Sequence, residues 1–236
     1  MYLYPVKKYR TIFFDLDHTL WDFERNSREA LSEIITDLNL TSHGVDDPDR
    51  FILSYEKHNK RCWELYRNGE ITKDNLRNLR FRLALQDFDA DHPELAERIG
   101  DEYVNRSPYK THLFPGTNEI LDYLAPKYDL YLITNGFEEI QHIKIKESGL
   151  ENYFRSMITS ERAGVRKPHP DIFKLAMEIS QTQPEFCMMI GDDEEADVAA
   201  ARKMSMDAVL FDPMKKSEPN SDYLIIHDLI ELKKHL

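Results

Sequence analysis

The 236-residue chain lacks most of the features that would announce a class at once. It has two cysteines, Cys62 and Cys187, far apart and in no CxxC or His/Cys cluster. That argues against a disulfide framework or a structural zinc site and predicts two reduced thiols. Its 8 glycines are far too few for a collagen-like repeat. No apolar run approaches the roughly 20 residues of a membrane span; the longest are as short as Leu130-Tyr131-Leu132-Ile133 and Cys187-Met188-Met189-Ile190. No basic tract is present, and 31 Lys and Arg against 43 Asp and Glu leave a net charge of −12. A chain of that kind is a poor partner for a nucleic-acid backbone. A small anionic substrate is still allowed, because the local charge of a cleft can oppose the global sign. The nine histidines form no HxH or HExxH pair, and residues 1–8 hold no signal-peptide apolar core. The expectation is a cytoplasmic protein that binds neither nucleic-acid polymer nor membrane.

What is present fits a globular fold. Hydrophobic residues make up 41%, with 12 Phe and 12 Tyr, which disordered chains lack. Arg10–Asp15 reads as a strand buried on both faces. Further short apolar runs follow at Leu130–Thr134, Met157–Thr159, Phe186–Gly191, Ala208–Phe211 and Tyr223–Ile226. Helical patterns at Asn118–Tyr128, Glu138–Ser148, Pro170–Ser180 and Glu194–Met204 separate most of them. This alternation predicts an α/β fold with a Rossmann-like parallel sheet and helices on both faces.

Between the first and second strands the pattern changes. Glu24–Leu38, Asp49–Asn68, Lys73–Gln86 and Pro93–Asn105 all read as helices, with Thr72 a plausible N-cap. An all-helical insertion over residues 22–107 therefore interrupts a core made of residues 1–21 and 108–236.

Ligands of doubly wound sheets bind beyond the carboxyl ends of the strands. Those ends carry Asp15-Leu16-Asp17-His18-Thr19, Thr134-Asn135-Gly136, and Gly191-Asp192-Asp193 with Asp197 shortly after. Lys167 lies in the loop after the third strand. Each piece has an ordinary explanation on its own: a strand-exit turn, a tight Asn-Gly turn, a solvated lysine, acidic residues at a helix start. Four such pieces at one edge of one sheet point instead to a site rich in carboxylates, with a hydroxyl and an ammonium.

The set resembles the four motifs of the haloacid dehalogenase-like hydrolase superfamily. The matching segments are Phe13-Phe14-Asp15-Leu16-Asp17-His18-Thr19-Leu20, Thr134-Asn135, Lys167-Pro168 and Gly191-Asp192-Asp193-Glu194-Glu195-Ala196-Asp197. The helical insertion is similar to the type-1 cap of that superfamily. Thr134-Asn135-Gly136-Phe137 with Gln141, then Ser148-Gly149-Leu150, Tyr153-Phe154, Ser160-Glu161 and Gly164, looks like its pyrimidine 5′-nucleotidase branch. So does the segment from Trp63 to Thr72. His18 departs mildly, in a slot often held by Gly, Asp or Glu.

The resemblance implies a phosphomonoester hydrolase whose nucleophile is Asp15. A carboxylate is an accepted phosphoryl nucleophile, and phosphoryl transfer needs positive charge around the equatorial oxygens. Acidic groups repel a phosphate dianion, so a cation must intervene, and Mg²⁺ suits a few oxygen ligands. The family assigns Mg²⁺ to Asp15, the Asp17 main-chain carbonyl and Asp192. Asp197 supports the site, and spacing does not choose between Asp193 and Asp197 for that task. If the extended backbone persists, period two sends Asp17 to the side of Asp15, where it would serve as acid and base. Dehalogenases of the superfamily lack this second aspartate, which favours phosphate chemistry. Thr134 and the Asn135 main-chain N–H would bind phosphate, and Lys167 would neutralise nucleophile and phosphoryl group.

The cap is expected to close during the reaction and open for release. Trp63, Tyr66, Arg67 and Asn68 are candidates for leaving-group recognition; Trp63 and Tyr66 equally suit the cap's own core. The implied partner is a small phosphorylated metabolite, a nucleoside monophosphate foremost, and the implied state a monomer or homodimer. Phosphoglycolate or a sugar phosphate is the alternative substrate. A phosphomutase and a non-catalytic binding module are further alternatives.

Overall fold

The computed structural model describes residues 9–90, 92–218 and 222–236. Residues 1–8, expected to carry no leader, and Asp91, expected in a loop, lie outside the described residues. In chain order the elements are β1 (Thr11–Phe14), α1 (Phe23–Asp37), α2 (Pro48–Arg67), α3 (Lys73–Gln86), α4 (Pro93–Arg106), α5 (Thr117–Leu124) and β2 (Asp129–Thr134). There follow α6 (Glu138–Glu147), β3 (Phe154–Thr159), α7 (Ser160–Ala163), α8 (Pro170–Ser180), β4 (Cys187–Gly191), α9 (Ala200–Lys203), β5 (Asp207–Phe211) and β6 (Leu224–Ile226).

The chain divides into two compact units. The first runs to Phe23 and resumes over Thr111–Leu236. Its six strands pair in the order β3-β2-β1-β4-β5-β6, every neighbour parallel. β1 is central, and all four of its side chains are buried. Alternate residues feed two cores, as the pleat requires. Ile12 and Phe14 join α5, α6 and a C-terminal 3₁₀ turn (Leu229–Lys234) on one face. Phe13 joins α8 and α9 on the other. The doubly wound sheet expected from the sequence is the one that forms.

Two elements differ from expectation. β3 starts three residues earlier, at Phe154 rather than Met157. It is an edge strand, so Arg155 and Ser156 break the apolar run that marks the inner strands. The single helix expected over Glu194–Met204 opens instead with a wide π-type turn, Glu194–Ala199, before α9. Asp193 caps it, its Oδ1 accepting from the N–H groups of Glu195 at 3.0 Å and Ala196 at 2.9 Å.

The second unit is Glu24–Lys110. Its four helices bury Leu31, Ile34, Phe51, Tyr55, Phe81, Ala84, Ile99 and Tyr103. Thr72 caps α3 as expected, accepting from the Asn75 N–H at 3.2 Å. Arg80 lies inside this core, 4.9–5.7 Å from the ring centres of Tyr55, Phe81 and Tyr103, and donates to Asn59 Oδ1 at 2.8 Å. The aromatic faces and that amide compensate its desolvation.

Candidate active site

The site is built where strands of the first unit end. Asp15 follows β1, its N–H bonded to the Ile190 carbonyl of β4 at 2.9 Å. Asp192 follows β4, and Asp197 returns one turn later. The three carboxylates each bring an oxygen within 4.8 Å of the others. Asp197 is fully buried, and its Oδ2 accepts from the Asp193 N–H at 3.2 Å. This separates the two acids that spacing left open: Asp193 caps the turn, while Asp197 joins the cluster.

Gly191 makes that return possible. A Cβ built there would overlap the Asp197 carboxylate and lie 2.6 Å from its Cβ. Gly191→Ala is therefore expected to push Asp197 out of the cluster, at a cost of about 1–3 kcal/mol in stability. Urea denaturation reads that cost, and an unchanged midpoint would contradict this packing account.

Lys167 compensates the acids from below. Its Nζ donates to Asp15 Oδ1 at 2.8 Å, Asp197 Oδ1 at 2.6 Å and the Ile133 carbonyl at 2.8 Å. Burial favours its neutral form, yet the charges of Asp15 and Asp197 hold its pKa well above the usual lysine value. Burial raises Asp15, against the pull of Lys167. Burial and the nearby Asp15 charge push Asp192 up to about 8, and burial also raises Asp197 strongly. Several buried carboxylates around one ammonium carry excess negative charge, and hard oxygen donors this close suit a divalent cation such as Mg²⁺.

Asn135 positions Lys167 by means the sequence did not suggest. Its side-chain Nδ2 donates to the Lys167 carbonyl at 3.0 Å, and its Oδ1 accepts the Lys167 N–H at 2.8 Å. The amide thus clamps the backbone that bears the lysine, across a Lys167–Pro168 peptide that is cis. Thr134, at the end of β2, is buried, and its Oγ1 accepts from the Gly136 N–H at 3.0 Å.

Asp17 departs from expectation. β1 ends at Phe14, so the extended backbone does not carry through to Asp17. Its carboxylate is not part of the three-acid cluster. Oδ1 faces Lys144 Nζ at 2.5 Å, and Oδ2 accepts from Gln141 Nε2 at 2.7 Å. Burial would raise its pKa, but the Lys144 charge and these two bonds outweigh burial and lower it. Both partners sit on α6. In the sequence Gln141 stands out only beside the Thr134–Phe137 motif, and Lys144 carries no local signal.

Trp63, Tyr66, Arg67 and Asn68 belong to the second unit, at the end of α2. Tyr66 is buried, and its ring meets Trp63 edge-on at 5.7 Å. Arg67 and Asn68 are exposed, and Asn68 Nδ2 donates to Glu70 at 3.0 Å.

A doubly wound parallel sheet with acids and a lysine gathered beyond its strand ends defines an α/β enzyme core. The haloacid dehalogenase-like hydrolase family matches residues 9–204, and the chain belongs to that family. It is 29% identical over 232 residues to pyrimidine 5′-nucleotidase PynA of Streptococcus pneumoniae, covering 94% of each chain. It is 30% identical to pyrimidine 5′-nucleotidase YjjG of Escherichia coli, covering 81% of this chain and 80% of the other. The crystal structure of the HAD-hydrolase YfnB from Bacillus subtilis, bound to magnesium, superposes with a TM-score of 0.86. That likeness is at 27% identity over 97% of this chain and 98% of that one. Among the described residues, no helix is long and apolar enough to cross a membrane.

Proposed function

We propose that this hydrolase is a Mg²⁺-dependent phosphomonoesterase acting on nucleoside 5′-monophosphates, pyrimidine ones foremost, through an aspartyl phosphate on Asp15. The observation that carries the chemistry is the three-carboxylate cluster, with Lys167 bridging Asp15 and Asp197. The substrate class is supported by the two nucleotidase relatives.

Asp15, Asp192 and the Asp17 carbonyl would hold the metal, with Asp197 in support. When bound, Mg²⁺ would supply charge that offsets repulsion between the acids and the phosphate. Lys167 holds Oδ1 of Asp15 and orients the carboxylate for attack. Asp15 attacks phosphorus, the ester P–O bond breaks, and the leaving oxygen takes a proton from Asp17, whose carboxyl the negative charge of the bound phosphate would help to protonate. Water then attacks the aspartyl phosphate, Asp17 takes the water's proton, and phosphate leaves with Asp15 restored. Thr134 and the Asn135 main-chain N–H would bind the phosphoryl oxygens. The helical unit, Glu24–Lys110, is assigned leaving-group recognition through Trp63, Tyr66, Arg67 and Asn68.

The test is a panel of pyrimidine and purine monophosphates, phosphoglycolate and sugar phosphates. Pyrimidine monophosphates are expected to exceed sugar phosphates in kcat/KM by about tenfold or more, a difference of roughly 1.4 kcal/mol in transition-state binding. EDTA is expected to abolish activity and excess Mg²⁺ to restore it. Equal turnover of nucleotides and sugar phosphates sinks the nucleotidase assignment, and activity indifferent to EDTA sinks the metal.

A further inference from the structure

Helix α6 turns Gln141 and Lys144, three residues apart, to one face. Both are buried, at 1% and 4% exposure. A buried lysine is costly unless it is paired. Here the ammonium meets Asp17 Oδ1 at 2.5 Å and lies 4.1 Å from the Trp21 ring centre and 5.5 Å from that of Phe23. Asp17 is thereby fixed at one oxygen by a charge seated on aromatic faces.

Gln141 fixes the other oxygen and does more. The amide presents Nε2 to Asp17 Oδ2, at 2.7 Å, donor to acceptor. Nε2 also donates to Thr134 Oγ1, at 3.2 Å. That hydroxyl already accepts from the Gly136 N–H at 3.0 Å. A hydroxyl has two lone pairs and one proton. With two donors aimed at its oxygen, the Thr134 proton is committed to donation, which is what an anionic phosphoryl oxygen requires. Gly136 leaves room for this: a Cβ there would collide with the Gln141 amide and come within 2.6 Å of its Cδ.

We infer that Gln141 is a positioning residue that ties the acid–base carboxylate of Asp17 to the phosphate-binding hydroxyl of Thr134, with Lys144 as the second anchor of Asp17. The inference rests on the phosphomonoesterase reading. It concerns residues that act through Asp17 and Thr134 rather than on substrate.

The geometry predicts two separable effects. Loss of the hold on Asp17 matters most where the leaving oxygen needs a proton. Loss of the hold on Thr134 weakens phosphate binding whatever the leaving group. The experiment compares wild type, Gln141→Met, Lys144→Met and Lys144→Arg on phosphomonoesters running from a nitrophenol to a simple alkanol. It reads kcat/KM, the inhibition constant of inorganic phosphate, and the melting temperature.

Gln141→Met and Lys144→Met are expected to lose about 100-fold on the alkyl ester and less than about tenfold on the nitrophenyl ester, general acid catalysis being worth 10²–10⁴. Gln141→Met alone is expected to weaken phosphate inhibition, by about fivefold for one hydrogen bond. Lys144→Arg is expected to regain most of the alkyl-ester activity. Equal losses on all esters overturn the Asp17 tether, and unchanged phosphate inhibition in Gln141→Met overturns the Thr134 tether. If Lys144→Met melts below the assay temperature, Lys144→Arg and Gln141→Met still read the dependence. Failure of the underlying reading looks different: no ester is hydrolysed by the wild type, or Asp15→Asn remains active.

Discussion

Asp15→Asn is expected to lower turnover of every accepted phosphomonoester by roughly 10³-fold or more while leaving the fold intact. Asparagine has the same shape and keeps an oxygen for the Lys167 ammonium that Asp15 Oδ1 now accepts from at 2.8 Å. It also removes one of three crowded carboxylates, a charge that together with burial pushes Asp192 and Asp197 upward. The melting temperature is therefore expected to stay level or rise while kcat collapses. Acid quench during turnover is expected to trap a phosphate adduct on the Asp15 peptide in wild type and none in the variant. Substantial residual activity in both Asp15→Asn and EDTA-treated wild type would falsify the nucleophile assignment.

Lys167→Met acts on the opposite charge and strikes stability. Removing one partner of a buried ionic cluster leaves uncompensated charge and costs about 3–5 kcal/mol. Asp15 and Asp197 both lose the ammonium that now binds them. The cost has a direction in pH. Asp192 already sits at about 8 rather than 3.8, so between those values the folded protein keeps a proton that the unfolded chain has released. Stability that is present at low pH is lost as pH rises through that window. Without Lys167 the remaining acids shift upward too, and the slope steepens. Thermal melts in EDTA are expected to place Lys167→Met far below wild type at pH 8 and closer at pH 5.5. Mg²⁺ is expected to rescue the variant most at the higher pH. A variant equally stable at both pH values would show that the acids do not depend on this lysine.

The sheet was legible because its inner strands are apolar on both faces and end at turn residues. Phe13-Phe14-Asp15 and Met189-Ile190-Gly191-Asp192 each pass from core to chemistry within a few positions. Arg155 and Ser156 hid the start of β3, since an edge strand need not be apolar throughout. The π-type turn at Glu194–Ala199 follows from Asp197 folding back over Gly191, a contact no periodicity reports. Asp15, Lys167, Asp192 and Asp197 meet as their motif order suggested. The Asn135 side chain gave no signal in the sequence, because a clamp on another segment's backbone leaves no local pattern. Lys144 was invisible for a related reason. On α6 it reads as an ordinary surface lysine, and only Asp17 and Trp21, far back in the chain, reveal it as a buried one.

The central place of β1 bears on how the protein is made. Thr11–Phe14 is synthesised before both of its partners, Asp129–Leu132 and Cys187–Ile190. At about 5–20 residues per second, this apolar strand waits on the order of ten seconds for its second neighbour, while the helical unit between can fold on local contacts. A short β-prone segment held open that long is an aggregation hazard, and flanking charges are the usual guard. Arg10 and Asp15 stand on either side of it. The aspartate assigned to the chemistry of the finished enzyme would thus serve earlier as a gatekeeper of the nascent chain.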